Sequence, residues 1–317
     1  MRKGIITPVL VLAIILLCCC DSNGGEHRNS AYYWSTVFTV DSSQQVFLQR
    51  NNIQRIYLRY FDVVMNGKEA KPNATIRVEA AVPQRVEIVP VVYIMNDCMR
   101  RQQPQLDSLL LERILKITDT HDLGPIKEVQ IDCDWTKQTQ TEYFNMLGRL
   151  RERAKAKGIA LSATIRLHQL SMAVPPVDRG VLMVYNTGDI TKRDGTNAIL
   201  DMTDVKPYLR ALKSYDLPLA SAYPVYAWQV AFRGEKYIGI IHSDSYLPLL
   251  PGDTVVKVEP SLDMVLKAKN AIDDIRRSAN DEVILYEMSK QNVKRIKEYG
   301  YEKVFWHTCD YAGTDKH

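Results

Sequence analysis

The residues most suited to chemistry are Val129-Gln130-Ile131-Asp132-Cys133-Asp134-Trp135-Thr136. Side chains alternate across a strand, so Gln130, Asp132, Asp134 and Thr136 share one face, and Ile131, Cys133 and Trp135 share the other. Two carboxylates two residues apart on a central strand are costly to bury, and their repulsion raises at least one pKa. Such a pair suits proton transfer or the holding of a polar ligand. A purely structural pair, hydrogen-bonded to a neighbouring strand, is the alternative.

Other strands carry residues that fit the same site. Arg59 and Arg166 each interrupt an otherwise apolar run, in Ile56-Tyr57-Leu58-Arg59 and Ala163-Thr164-Ile165-Arg166. A strand arginine of this kind neutralises a buried carboxylate, with Asp132 the expected partner. Both also count as candidate ligand contacts. Tyr223, Tyr226 and Trp228 cluster in one short segment, and Tyr32, Tyr33 and Trp34 in another. Flat rings pack against the C–H faces of sugars, whose hydroxyls need polar neighbours such as Asn186 or Gln229. His121, His168, His242 and His307 are scattered without paired spacing, so no metal set is expected, and no cofactor motif appears. No Gly-x-Ser-x-Gly elbow is present.

Short β-branched runs alternate with amphipathic stretches and would position these residues. Strands are expected near Tyr32–Phe38, Arg55–Val63, Val86–Ile94, Glu128–Trp135, Ala160–Leu167, Val181–Thr187, Pro218–Val225 and Glu282–Met288. Between them apolar residues recur at helix spacing, as in Leu106, Leu110 and Ile114 or in Val205, Leu209 and Leu212. Eight strands with intervening helices predict an α/β fold, a (β/α)8 TIM barrel over residues 31–317, with its working site at the C-terminal strand ends. An open doubly wound sheet would carry a Gly-rich strand-to-helix turn, and none is present. Met65 to Arg85 reads as a polar excursion. Val230–Phe232, Gly234–Ile241 and Val255–Val258 read as an added hairpin after the seventh strand.

Ile131-Asp132-Cys133-Asp134-Trp135 on the fourth strand resembles the DxxDxDxE segment of the family 18 (chitinase-like) glycoside hydrolases, and Leu182-Met183-Val184-Tyr185-Asn186 on the sixth resembles that family's Met-x-Tyr-Asp segment. A group of bacterial lipoprotein barrels is similar in both strands. The resemblance implies that Asp132 and Asp134 match the two strand aspartates, Tyr185 the tyrosine beside the reacting sugar, and Asn186 its neighbouring aspartate. It also implies an oligosaccharide or polysaccharide partner. The proton-donating glutamate of that motif falls at Thr136, which cannot act as a general acid at ordinary pH, and Val129 stands where the first aspartate belongs. Either the barrel binds glycan without cleaving it, as a lectin-like protein would, or another carboxylate supplies the acid. Glu287, Asp62 and Asp189 each end or follow a strand. A glycosidase needs two carboxyl groups roughly 5 to 10 Å apart. Asp132, Asp134 and Glu287 form the candidate catalytic set, with Asp134 and Glu287 the expected pair.

The beginning of the chain differs from the rest. Arg2 and Lys3 precede an apolar run from Ile5 to Leu17, followed by Cys18-Cys19-Cys20 and the polar stretch Asp21 to Ser30. A basic segment followed by a short apolar one fits an export signal and is short for a membrane span. A cysteine closing it is the bacterial lipoprotein signature, which predicts a signal peptide over 1–20, acylation at Cys20, a linker over 21–30 and a lipid-anchored place in the bacterial envelope. A retained signal anchor is the alternative. The net charge of +4 over 317 residues gives no electrostatic footprint for nucleic acid. Beyond the leader only Cys98, Cys133 and Cys309 remain, without CxxC spacing, which excludes a disulfide scaffold and a zinc site.

Overall fold

The computed structural model describes residues 27–193, 196–241 and 247–306. Eight parallel strands form its centre: β1 (Arg28–Tyr33), β2 (Ile53–Asn66), β3 (Glu87–Ile94), β4 (Glu128–Asp132), β5 (Ala160–Arg166), β6 (Arg179–Met183), β7 (Leu219–Pro224) and β8 (Glu282–Tyr286). Each pairs with its neighbours in sequence order, and β1 pairs with both β8 and β2, so the sheet closes. This is the expected (β/α)8 barrel. Gly180 allows β6 to lie close to its neighbours, because a Cβ there would meet Ile165 Cγ1 and Leu219 Cδ2 at 2.9 Å.

Strands β2 to β8 lie within a few residues of their predicted places, but β1 does not. It starts at Arg28, inside the stretch read as linker, and ends before Val37–Phe38, which instead forms a two-residue parallel ladder with Arg77–Val78. The apolar character of Phe38 reflects burial under that ladder rather than membership of the barrel.

Helices follow six strands: α1 (Ser42–Arg50), α2 (Leu106–Thr120), α3 (Gln140–Lys155), α4 (Met202–Leu212), α5 (Leu262–Arg276) and α6 (Lys290–Tyr299). Asp41, Asp201, Ser261 and Ser289 cap four of them through side chains that accept from backbone N–H groups. Two connections lack an α-helix. After β2 the strand overshoots the barrel and pairs antiparallel with Glu69–Asn73; after β5 only a short 3-10 turn, Leu167–Ser171, follows. The expected hairpin after β7 is Trp228–Arg233 paired with Lys236–Ile241, turning at Gly234 (φ 60°). Asp253–Val258 adds a third antiparallel strand.

The inward-facing side chains of β1, β2, β4, β6 and β8 form a charged layer at the N-terminal end of the barrel. Arg55 lies 3.1 Å from Glu128 and 3.4 Å from Glu282; Arg179 lies 3.2 Å and 2.6 Å from the same two carboxylates. Ser30 Oγ and Tyr57 OH donate to Glu282. Above this layer Tyr32 OH donates to Gln130, wholly inside the barrel. The thiols of Cys98 and Cys133 are free and buried, and burial pushes both up in pKa. Cys18, Cys19, Cys20, His242, His307 and Cys309 lie outside the described residues.

Candidate functional site at the barrel mouth

A cavity of about 230 Å³ opens at the C-terminal strand ends, lined by charged residues of β2, β4 and β5 and by aromatic residues of β1, β6 and β8. Asp132 is the last residue of β4 and Asp134 lies just past it, so the alternation of the strand brings both carboxylates to this cavity. Asp132 is 3 % exposed, accepts from Thr164 Oγ1 at 2.6 Å, and lies 3.6 Å from Arg166. Burial raises its pKa above the ordinary range; Arg166 opposes that rise and the Asp134 charge adds to it. Asp134 is half exposed and accepts from Arg166 Nε at 2.5 Å. Arg166 therefore serves Asp132, its expected partner, and Asp134 as well. Arg59 does not reach Asp132. It binds Asp62 through two guanidinium nitrogens, one at 2.8 Å, and its guanidinium lies 5.5 Å from the Trp34 ring centroid.

The floor is aromatic. Tyr185 stacks on Tyr286 at 4.8 Å between centroids, and Trp34 lies 5.7 Å from the same ring. The Tyr185 hydroxyl is buried and has no hydrogen-bond partner among the described residues. Asn186 lines the cavity with a left-handed backbone (φ 54°), and its side-chain oxygen accepts from Tyr226 OH. Tyr226 is 8 % exposed and stands behind Asn186, so it positions that amide. Trp228 packs 5.3 Å from Tyr226, outside the cavity lining.

Other residues singled out in the sequence lie elsewhere. Tyr223 is wholly buried and donates to Asn280, on the opposite face of β7 from the barrel interior. Glu287 follows β8 and turns away from the mouth, where Asn292 Nδ2 of α6 donates to it at 2.7 Å; burial raises its pKa. It is not among the cavity residues, so the Asp134–Glu287 pair does not assemble across this cavity. Thr136 is exposed, and its backbone N–H donates to Thr139 at the start of α3. Asp189 is also exposed, on the loop after β6. Tyr286 and Tyr93 join the site without having been predicted. Alternation would have revealed Tyr286: counting by two from Glu282 places Ile284 and Tyr286 inward and Glu287 outward.

This barrel, with a polar mouth on β4 and β6, has the chitinase-like fold. The chain is similar to the spore cortex-lytic enzyme SleL of Bacillus cereus (TM-score 0.53, 13 % identity, 86 % of this chain and 74 % of that one). It is similar also to a chitinase of Chromobacterium violaceum (TM-score 0.54, 10 % identity, 86 % and 98 %) and to the GH18 chitinase ChiB of Flavobacterium johnsoniae (TM-score 0.53, 11 % identity, 89 % and 93 %). No family model and no curated protein matches the chain by sequence.

Proposed function

We propose that this chain is a glycan-binding protein of the bacterial envelope, lipid-anchored through Cys20, in which a hydrolase-type barrel holds a sugar without cleaving it. The observation that carries this reading is the pairing of the cavity carboxylates. Asp62 is bound by Arg59 and Asp134 by Arg166, while Asp132 is buried beneath Arg166 and Thr164. Glycoside hydrolysis needs one carboxyl group to protonate the leaving oxygen and a second to attack or to activate water. Thr136 replaces the motif's acid and lies outside the cavity lining, and Glu287 is held by Asn292 of α6. For binding, the site has rings for a sugar face, guanidinium and amide donors for hydroxyls, and the unpartnered Tyr185 hydroxyl. The cavity's size suits one sugar ring, with further units lying across the mouth towards Trp228. The polysaccharide-degrading activities named for the structurally similar proteins point to the same ligand class.

A hydrolase reading has one observation in its favour. Asp132, raised by burial, lies beside the half-exposed Asp134, and carboxyl groups held in different environments are a mark of acid–base pairs. A panel of oligosaccharides, scored for both retention and product release with the protein lacking residues 1–20, separates the two. Retention without release is expected, reduced at least about tenfold by Asp134→Asn and unchanged by Glu287→Gln. Release that disappears with Asp134→Asn overturns the binding-only reading.

A further inference from the structure

We propose that the N-terminal face of the barrel lies against the membrane, where Arg28, Arg85 and Lys127 receive the headgroups of anionic phospholipid, so that the mouth points away from the bilayer. The inference rests on the proposed anchor at Cys20. Six residues separate that cysteine from His27, and β1 begins at Arg28 on the N-terminal face, where Arg28 reaches Glu282. An extended chain covers at most roughly 25 Å over those seven steps. The 15 residues of α2 alone rise about 22 Å along the barrel flank. Bringing the mouth to the lipid surface would therefore consume the whole tether, whereas the N-terminal face reaches that surface without extension.

That face also has a place for a headgroup. A cavity of about 1220 Å³ opens there between α1, the segment 82–88 and the segment 122–127, beside the connection that lacks a helix. Arg28, Arg85 and Lys127 line it, with Glu87 and Asp122. Glu87 is already bound to Arg55, whereas Arg85 and Lys127 are exposed with no carboxylate within 4 Å among the described residues. Three of the five non-glycine residues with left-handed backbone, Asn52, Arg85 and Asp122, lie on its rim. Exposed Lys157, Lys213 and Arg277 on the neighbouring connections add positive charge, partly offset by Asp216 and Asp281.

Lysine footprinting of the full, lipidated chain on vesicles tests this. With phosphatidylglycerol present, Lys127, Lys157 and Lys213 should be modified about threefold or more slowly than in detergent, while Lys137, Lys192 and Lys290 at the mouth keep their rates. The protection should shrink on pure phosphatidylcholine and in the double variant Arg85→Glu, Lys127→Glu. Equal rates in the two sets, or protection of the mouth lysines, overturns the proposal. A full chain that does not float with vesicles refutes the anchor and the orientation together. Glycan retention measured in detergent is independent of all these outcomes, so its loss counts only against the sugar-binding reading.

Discussion

The two ends of the barrel are built from the same strands and the same inward-facing phase, yet they differ in how their charges are matched. At the N-terminal end Arg28, Arg55 and Arg179 meet Glu87, Glu128 and Glu282. Ser30 and Tyr57 donate into that layer. At the C-terminal end Arg59 and Arg166 face Asp62, Asp132 and Asp134, which leaves one carboxylate in excess, an aromatic floor and a buried hydroxyl without a partner. The first arrangement holds the strands together; the second keeps its polar groups available. A barrel separates stability and ligand chemistry along its axis in this way because its loops and strand ends at one face vary independently of the other.

The comparison can be broken most severely at the matched end. Glu282→Ala should destabilise the fold by about 3–5 kcal/mol in denaturant titrations, because it leaves two buried arginines sharing Glu128 and removes the acceptor of Ser30 and Tyr57. Protein that remains folded should still retain glycan; lost retention at full folding would erase the division between the ends. Arg166→Met should do the reverse. Retention should fall at least about tenfold, with a smaller loss of stability than Glu282→Ala, because Asp134 is half in water and Asp132 can take up a proton.

The smallest effect is one of pH, and its sign differs between the ends. Burial pushes the Glu282 carboxyl up, but Arg179, Arg55 and the Ser30 hydroxyl more than compensate and hold it below its ordinary value. Its contribution is therefore present above the ordinary glutamate range and is lost as pH falls through the lowered pKa. Asp132 is raised, so its contribution is present below the ordinary aspartate range and is lost as pH rises through the raised pKa. Asp132→Asn should accordingly raise the melting temperature near neutral pH and leave the acid-induced loss of stability, which belongs to residues such as Glu282, in place. An unchanged neutral melting temperature would mean that Asp132 is fully compensated by Arg166.

Part of the mouth is legible in the sequence, by more than one route. Strand phase pairs Asp132 with Asp134, an arginine in an apolar run marks Arg166, and the chitinase-like resemblance supplies Tyr185 and Asn186; all five line one cavity. The same phase points to Arg55, Glu128 and Glu282, four residues before Arg59, Asp132 and Tyr286, but charge in the first residues of a strand is easily taken for the end of the strand. The missed first strand has a similar cause. Arg28-Asn29-Ser30 is polar because it faces the charged layer and the N-terminal rim, so hydrophobic periodicity starts only at Ala31. The two absent helices depend on tertiary packing, which pairs distant segments that no local pattern connects.

Cys98 and Cys133 extend the contrast into time. Both thiols lie in the wall beside the mouth, buried and held in the protonated form. A thiol reagent attacks the thiolate, and here it must wait for the wall to open. Their modification rates are thus an internal clock for opening of the ligand end, readable without introducing any probe.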